Sequence, residues 1–172
     1  QGVAPIDDYD QKMDGTNQIA LPGFINAHTH AAMTLLRGYA DDMPLMEWLE
    51  KKIWPLEAKL TADDVYWGTM LAIVEMIKSG TTCFADMYFF MDEVARAVEK
   101  AGVRAVLARG MVGVGPEKEQ AIAESRELIN KWNGSTKGRI RFILGPHAPY
   151  TCPPEYLKKV MGLAEELEVG LH

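Results

Sequence analysis

Cysteine is scarce in this sequence: Cys83 and Cys152 are the two among 172 residues. They allow one disulfide at most, and a chain of this length buries a core without covalent staples, so both read as reduced thiols of a cytoplasmic protein. Clustered positive charge is also missing. With 18 Lys and Arg against 24 Asp and Glu, the net charge is −6. That balance argues against a nucleic-acid partner, whose binding rests on grouped Lys and Arg releasing counterions. No apolar stretch approaches the ~20 residues that span a bilayer. The longest, Met70 to Ile77, is broken by Glu75 and followed by Lys78, so no membrane role is expected. A basic-then-apolar leader is lacking too, and the first residue is Gln1 rather than Met; the N-terminus is expected to have been cut from something longer.

What is present is an alternation. Residues 1–20 are polar and turn-rich and read as a lead-in that lends a strand elsewhere. Leu21 to His28 then reads as a buried strand behind Pro22 and Gly23. A long connection from Ala31 to Leu60 carries a short helix, Pro44 to Trp54, interrupted by Pro55. Thr61 caps a helix that buries Val65, Met70, Leu71, Val74 and Ile77 and stops at Gly80. Strands follow at Thr81–Asp86, Val103–Ala108, Ile140–Leu144 and Val169–His172. Between them lie helices capped by Asp92, starting near Pro116 with Ala121, Ile122, Leu128, Ile129 and Trp132 inward, and opened by Pro153 and Pro154 with Leu157, Val160, Met161, Ala164 and Leu167 inward.

Strands and helices in strict alternation imply βαβ crossovers and a parallel sheet. An open doubly wound sheet usually shows a glycine-rich phosphate loop after its first strand, which this sequence lacks. A closed (β/α)₈ barrel places polar residues at the C-terminal ends of many strands, and that expectation is met. His28 and His30 close the first strand, two residues apart and therefore on one side. Asp86 ends the second, Arg109 the third, His147 follows the fourth and His172 sits on the fifth. All four histidines of the chain fall at such ends. His28, His30 and His172 supply three nitrogen donors, enough for zinc or another borderline divalent ion with a position left for water.

The same residues have plainer readings. Asp86 reads as a cap for the turn that follows it, Arg109 as one half of a rim ion pair, and Glu57 as a solvated helix charge. Tyr88, Phe89 and Phe90 read as core, or as the wall of a pocket for a planar ring. Cys83 reads as a small apolar packer, and Cys152 has no basic neighbour to activate it.

The segment LPGFINAHTHAAMTLLRG resembles the opening of the amidohydrolase superfamily, in which a Pro-Gly-Phe/Leu-x-Asn/Asp-x-His-x-His strand carries two metal ligands. MEWLEKKIWPLEAKLT, GTTCFADMY, GPHAPYTCPPEYL and VGLH are similar to the branch containing 5′-methylthioadenosine/S-adenosylhomocysteine deaminase, with triazine chlorohydrolases and guanine deaminases as relatives. The resemblance runs from about Leu21 to His172. It implies a (β/α)₈ TIM-type barrel of the metal-dependent hydrolase kind, of which residues 21–172 hold about the first five strands, with residues 1–20 at the edge of a small β-sandwich. It implies His28, His30 and His172 as ligands of one divalent ion, zinc first, with iron or manganese as alternatives.

Glu57 takes the place that holds ribose hydroxyls, which reverses its surface reading. Arg109 takes the place that contacts the far end of the nucleoside, and His147 that of the substrate histidine. A further arginine for a homocysteine carboxylate finds no secure match, since Arg126 sits mid-helix. The activity implied is hydrolytic deamination of adenosine-type nucleosides, by an intact protein expected to be a homo-oligomer. Triazine or guanine hydrolysis, or a non-catalytic metal-binding fragment, are the alternatives. The general acid, a further His and a metal-binding Asp are expected beyond His172, which leaves the 172-residue chain inactive by itself.

Overall fold

The computed structural model describes residues 11–172. Residues 11–20 are exposed and contain one turn at Thr16–Asn17, where Asp14 accepts from the Thr16 backbone and hydroxyl at 2.9 and 2.7 Å. The first ten residues of the expected lead-in lie outside the described part.

Four strands, β1 (Phe24–Thr29), β2 (Thr81–Tyr88), β3 (Arg104–Met111) and β4 (Ile140–Pro146), form one parallel sheet in the order β1-β2-β3-β4. Leu171 bridges Leu144 in parallel, with Leu144 N–H donating to Gly170 O and His172 N–H to Leu144 O. Val169–His172 therefore starts a fifth position beside β4. Five segments added in sequence order, with no reversal, are what a closing barrel requires; a doubly wound sheet reverses at its switch point. Each of β2, β3 and β4 runs two or three residues past its expected end, which puts Asp86 and Arg109 inside strands.

Between the strands lie α1 (Leu45–Trp48), α2 (Trp54–Glu57), α3 (Ala62–Lys78), α4 (Met91–Ala101), α5 (Lys118–Trp132), the short α6 (Ser135–Gly138) and α7 (Pro154–Leu167). The core fills one face of the sheet: Phe84, Ala105, Leu107, Ile140, Phe142 and Leu144 pack under Val94, Ala95 and Val98 of α4, Ala121, Ile129 and Trp132 of α5 and Val160, Leu163 and Ala164 of α7. Alternate residues Cys83, Ala85, Val106 and Ile143 face the other way and are half-buried. Val94, Ala95 and Val98 of α4, at helical spacing, are fully buried. For α7, Leu157 and Met161 are exposed while Tyr156 and Leu163 take the buried positions.

Three local expectations are corrected. Pro55 does not interrupt its helix: a π turn at Leu49–Ile53 precedes it, and Pro55 sits in the first turn of α2, where its missing N–H costs nothing. Asp92 is not a cap, because α4 starts from Phe90 at φ 51; its carboxylate instead accepts from Lys131 and Trp132 of α5 at 2.6 and 2.7 Å. The buried stripe of α3 is Val65, Gly68, Thr69, Ala72 and Ile73, leaving Trp67, Leu71, Val74 and Ile77 exposed. The helix is apolar on two faces, and the face with small residues wins because a turn of 3₁₀ helix, Ala31–Leu36, presses against it. A Cβ at Gly68 would stand 2.6 Å from the Ala32 carbonyl oxygen. The capping box at Thr61 forms as expected, its hydroxyl accepting from Asp64 N–H while the Asp64 carboxylate accepts from Thr61 N–H. None of the described helices is long and apolar enough to cross a membrane.

Candidate metal and substrate site

The C-terminal ends of parallel strands share one rim, and three imidazoles gather there from opposite ends of the chain. The rings of His28 and His30 have centroids 5.3 Å apart, and those of His28 and His172 lie 5.8 Å apart. A zinc–nitrogen bond of about 2.0–2.1 Å and near-tetrahedral angles place two rings sharing one ion with centroids roughly 5 Å apart. His28 meets that spacing with both partners. Among the described residues no three His, Cys, Asp or Glu side chains close into a complete metal-holding group, so the three rings form an incomplete cradle.

His30 Nδ1 lies 2.6 Å from the Met87 carbonyl oxygen. A carbonyl only accepts, so the proton is on Nδ1 and the lone pair on Nε2, as in ligand histidines whose second nitrogen is held by the protein. The turn that carries His30 is tied down by Asp86. That carboxylate is 1% exposed, and its Oδ1 accepts from Ala31 N–H and from the Thr29 hydroxyl, each at 2.7 Å. The reading of Asp86 as a cap for its own following turn is thus corrected: the side chain points across to β1 because Asp86 and Thr29 are register partners. Its Oδ2 is buried without a partner. Burial raises its pKa from 3.8 to about 6, against the two donated hydrogen bonds and the nearby positive charge of His30.

Glu57, at the end of α2, is half-buried, and its Oε1 accepts from the Tyr88 hydroxyl at 2.8 Å. Burial pushes its carboxyl pKa up, and the Tyr88 bond and the charge of His30 pull in the other direction. Tyr88 stacks on Phe89 at 4.0 Å and stands 6.2 Å from the His30 ring; its hydroxyl pKa lies well above the ordinary value through burial and the carboxylate beside it.

His147 leaves β4 half-buried, with its backbone N–H donating to Met111 O and its Nδ1 2.9 Å from Thr151 Oγ1. The Thr151 hydroxyl proton goes to Ala148 O at 3.1 Å, so Nδ1–H donates to Thr151 and Nε2 keeps its lone pair. Burial first, and the charge of His30 second, lower the His147 pKa, so the ring is neutral near pH 7.

Arg109 is held elsewhere. Its Nε donates to Glu124 at 2.7 Å and its guanidinium also bonds the Gly110 carbonyl. It lines a cavity of about 490 Å³ together with Phe89, Phe90, Asp92, Gln120 and Glu124, none of whose lining residues is a histidine. Arg126 is bound on the surface to Glu166 at 2.6 and 2.9 Å. Both cysteines are free thiols, Cys152 buried with its Sγ on Met111 O at 3.2 Å.

The structure thus brings the rings of His28, His30 and His172 together and gives His30, Glu57 and His147 the partners Met87, Tyr88 and Thr151, which sequence reasoning did not identify. Nothing in the sequence marks a tyrosine as the partner of a glutamate 31 residues away.

Comparisons agree with this geometry. Residues 19–172 match the model of the amidohydrolase family. A 5-methylthioadenosine/S-adenosylhomocysteine deaminase of Syntrophomonas wolfei is 76% identical over 171 residues, 99% of this chain and 40% of that protein. A crystal structure of an adenosine deaminase from Xanthomonas campestris with bound zinc superposes with a TM-score of 0.81 at 39% identity, over 88% of this chain and 35% of that one. An atrazine chlorohydrolase from Arthrobacter aurescens, complexed with zinc, gives 0.77 at 22% identity over 88% of this chain and 40% of that one, a likeness of fold. The chain spans about two fifths of the length of such curated relatives. Its five successive parallel segments are part of the family's barrel, and the chain belongs to the amidohydrolase family.

Proposed function

We propose that these residues are the N-terminal part of a metal-dependent hydrolytic deaminase that converts adenosine-type nucleosides, 5′-methylthioadenosine and S-adenosylhomocysteine among them, to inosine analogues and ammonia. The observation that carries the reading is the convergence of the His28, His30 and His172 rings on one rim. The relatives named as deaminases of these compounds support the choice of substrate.

His28, His30 and His172 would hold one divalent cation, with zinc favoured by its presence in similar structures. When bound, such an ion supplies Lewis acidity and makes water nucleophilic near neutral pH. The Met87 carbonyl keeps the proton of His30 on Nδ1, and so keeps Nε2 ready to ligate. His147, neutral and oriented by Thr151, presents an acceptor to the purine. Glu57 accepts the ribose hydroxyls, and this remote binding energy orients the base for attack at C6. Arg109 reaches the far end of the nucleoside only where a negative tail competes with Glu124 for its guanidinium. Water adds to C6, ammonia leaves, and the groups that shuttle the protons are those the family resemblance places beyond His172, so the 172-residue chain alone is expected to turn nothing over.

The intact protein tests this directly. Ammonia release and the ultraviolet change from adenine to hypoxanthine are followed with 5′-methylthioadenosine, S-adenosylhomocysteine, guanine and a chlorotriazine. Elemental analysis is run on the wild type and on the His28→Ala, His30→Ala double variant. About one divalent ion per chain, lost together with nucleoside turnover in the double variant, is the expected result. Full metal occupancy in that variant, or a preference for guanine or the triazine, refutes the reading.

A further inference from the structure

Glu57 ends a four-residue helix that follows a π turn, so little in its own segment restrains the direction of its carboxylate. The restraint comes from another element. Tyr88 is 5% exposed at the end of β2, its ring is fixed by stacking on Phe89, and its hydroxyl proton goes to Glu57 Oε1. That bond occupies one lone pair of Oε1, and among the described residues no other side-chain hydrogen bond reaches the Glu57 carboxylate. The Tyr88 ring that holds it stands 6.2 Å from the His30 ring, centroid to centroid.

We infer that Tyr88 is a positioning residue that determines specificity, holding the Glu57 carboxylate where it reads a vicinal diol, so that ribonucleosides are distinguished from substrates lacking those hydroxyls. The inference rests on the assignment of Glu57 to ribose made above, and adds to it the group that makes the carboxylate selective. Without the hydroxyl, Glu57 loses both its orientation and a donor that favours its ionised form, and burial then disfavours the anion the diol needs. The benzene ring of phenylalanine keeps the stack on Phe89, so Tyr88→Phe removes the hydrogen bond and little else.

The experiment is a double-mutant cycle in the intact, metal-loaded protein: wild type, Tyr88→Phe, Glu57→Gln and both together, each assayed with adenosine and with adenine. A hydrogen bond to a charged group is worth about tenfold or somewhat more in an equilibrium. Tyr88→Phe is therefore expected to raise KM for adenosine about tenfold with a much smaller change in kcat, and to alter adenine turnover far less. In the Glu57→Gln background it should add less than about twofold, since a positioning residue acts only through the group it positions. The acid limb of the adenosine kcat/KM profile should move to higher pH in Tyr88→Phe, which a loss of packing would not produce. Equal losses for adenosine and adenine, additive losses in the double variant, or an unmoved acid limb overturn the assignment of Tyr88. If Glu57→Gln abolishes the preference for adenosine and Tyr88→Phe leaves it intact, the inference fails and the diol reading stands. If Glu57→Gln leaves the preference unchanged, both fall.

Discussion

Replacing Asp86 by asparagine removes a fully buried charge, and the size of the effect can be worked from its surroundings. In the folded protein the carboxyl titrates at about 6, against 3.8 for the free group, because loss of solvation outweighs the hydrogen bonds from Ala31 N–H and the Thr29 hydroxyl. A raised folded pKa means the fold favours the protonated form. The associated stability is fully present below about pH 4 and is lost as pH rises through about 6. At 1.36 kcal/mol per pKa unit the loss is about 3 kcal/mol. Asparagine keeps the volume and an acceptor for the two donors but cannot ionise, so the variant lacks this slope.

Urea unfolding followed by far-ultraviolet circular dichroism at pH 4, 5, 6 and 7, with a chelator present, measures both proteins free of metal. The other carboxylates titrate identically in the two and cancel in the difference. Relative to Asp86→Asn, the wild type should lose about 2–2.5 kcal/mol between pH 4 and 7, which for a chain of this size is a shift of roughly 5–10 °C in relative Tm. A difference that stays constant across this range would show that Asp86 is solvated or paired through Oδ2, and would refute the account of its burial.

Two further substitutions probe the frame around the site. Gly68→Ala puts a Cβ 2.6 Å from the Ala32 carbonyl oxygen; forcing the Ala31–Leu36 turn off α3 should cost about 1–3 kcal/mol and weaken metal binding, because that turn follows His30 directly. A variant within about 0.5 kcal/mol of wild type by urea titration would contradict the close packing of that turn. Thr61→Ala removes one arm of the capping box at the start of α3 and should cost about 1 kcal/mol without altering metal content, as read by the same titration and by elemental analysis.

Local order was legible in the sequence because it is encoded locally. The α4 stripe of Val94, Ala95 and Val98 follows from helical period, the Thr61 cap from a side chain three residues from its partner, and the strand positions from short apolar runs between Gly and Pro. The placement of every histidine at a strand end, joined to the parallel alternation, sufficed to put all of them on one rim, and the His28, His30 and His172 spacings agree with it. These are consequences of backbone periodicity and parallel topology, which no later packing choice can change.

Tertiary structure alone decided whatever depends on a partner distant in the chain. α3 had two apolar faces, and the backbone of the Ala31–Leu36 turn pressing on Gly68 selected one. Asp86 looked like a turn cap until register with Thr29 carried its carboxylate across to the His30 turn, and Asp92 likewise until α5 brought Lys131 and Trp132 to it. Arg109 had an ion pair and a substrate as equal readings, and the approach of Glu124 settled where its guanidinium now rests. Glu57 had lost its surface reading to the family resemblance, but that Tyr88 is its partner came only from the packing of β2 against α2. A buried polar group must find a hydrogen-bonding partner, but which one it finds depends on the packing of elements tens of residues apart, and that information is absent from any short stretch of sequence.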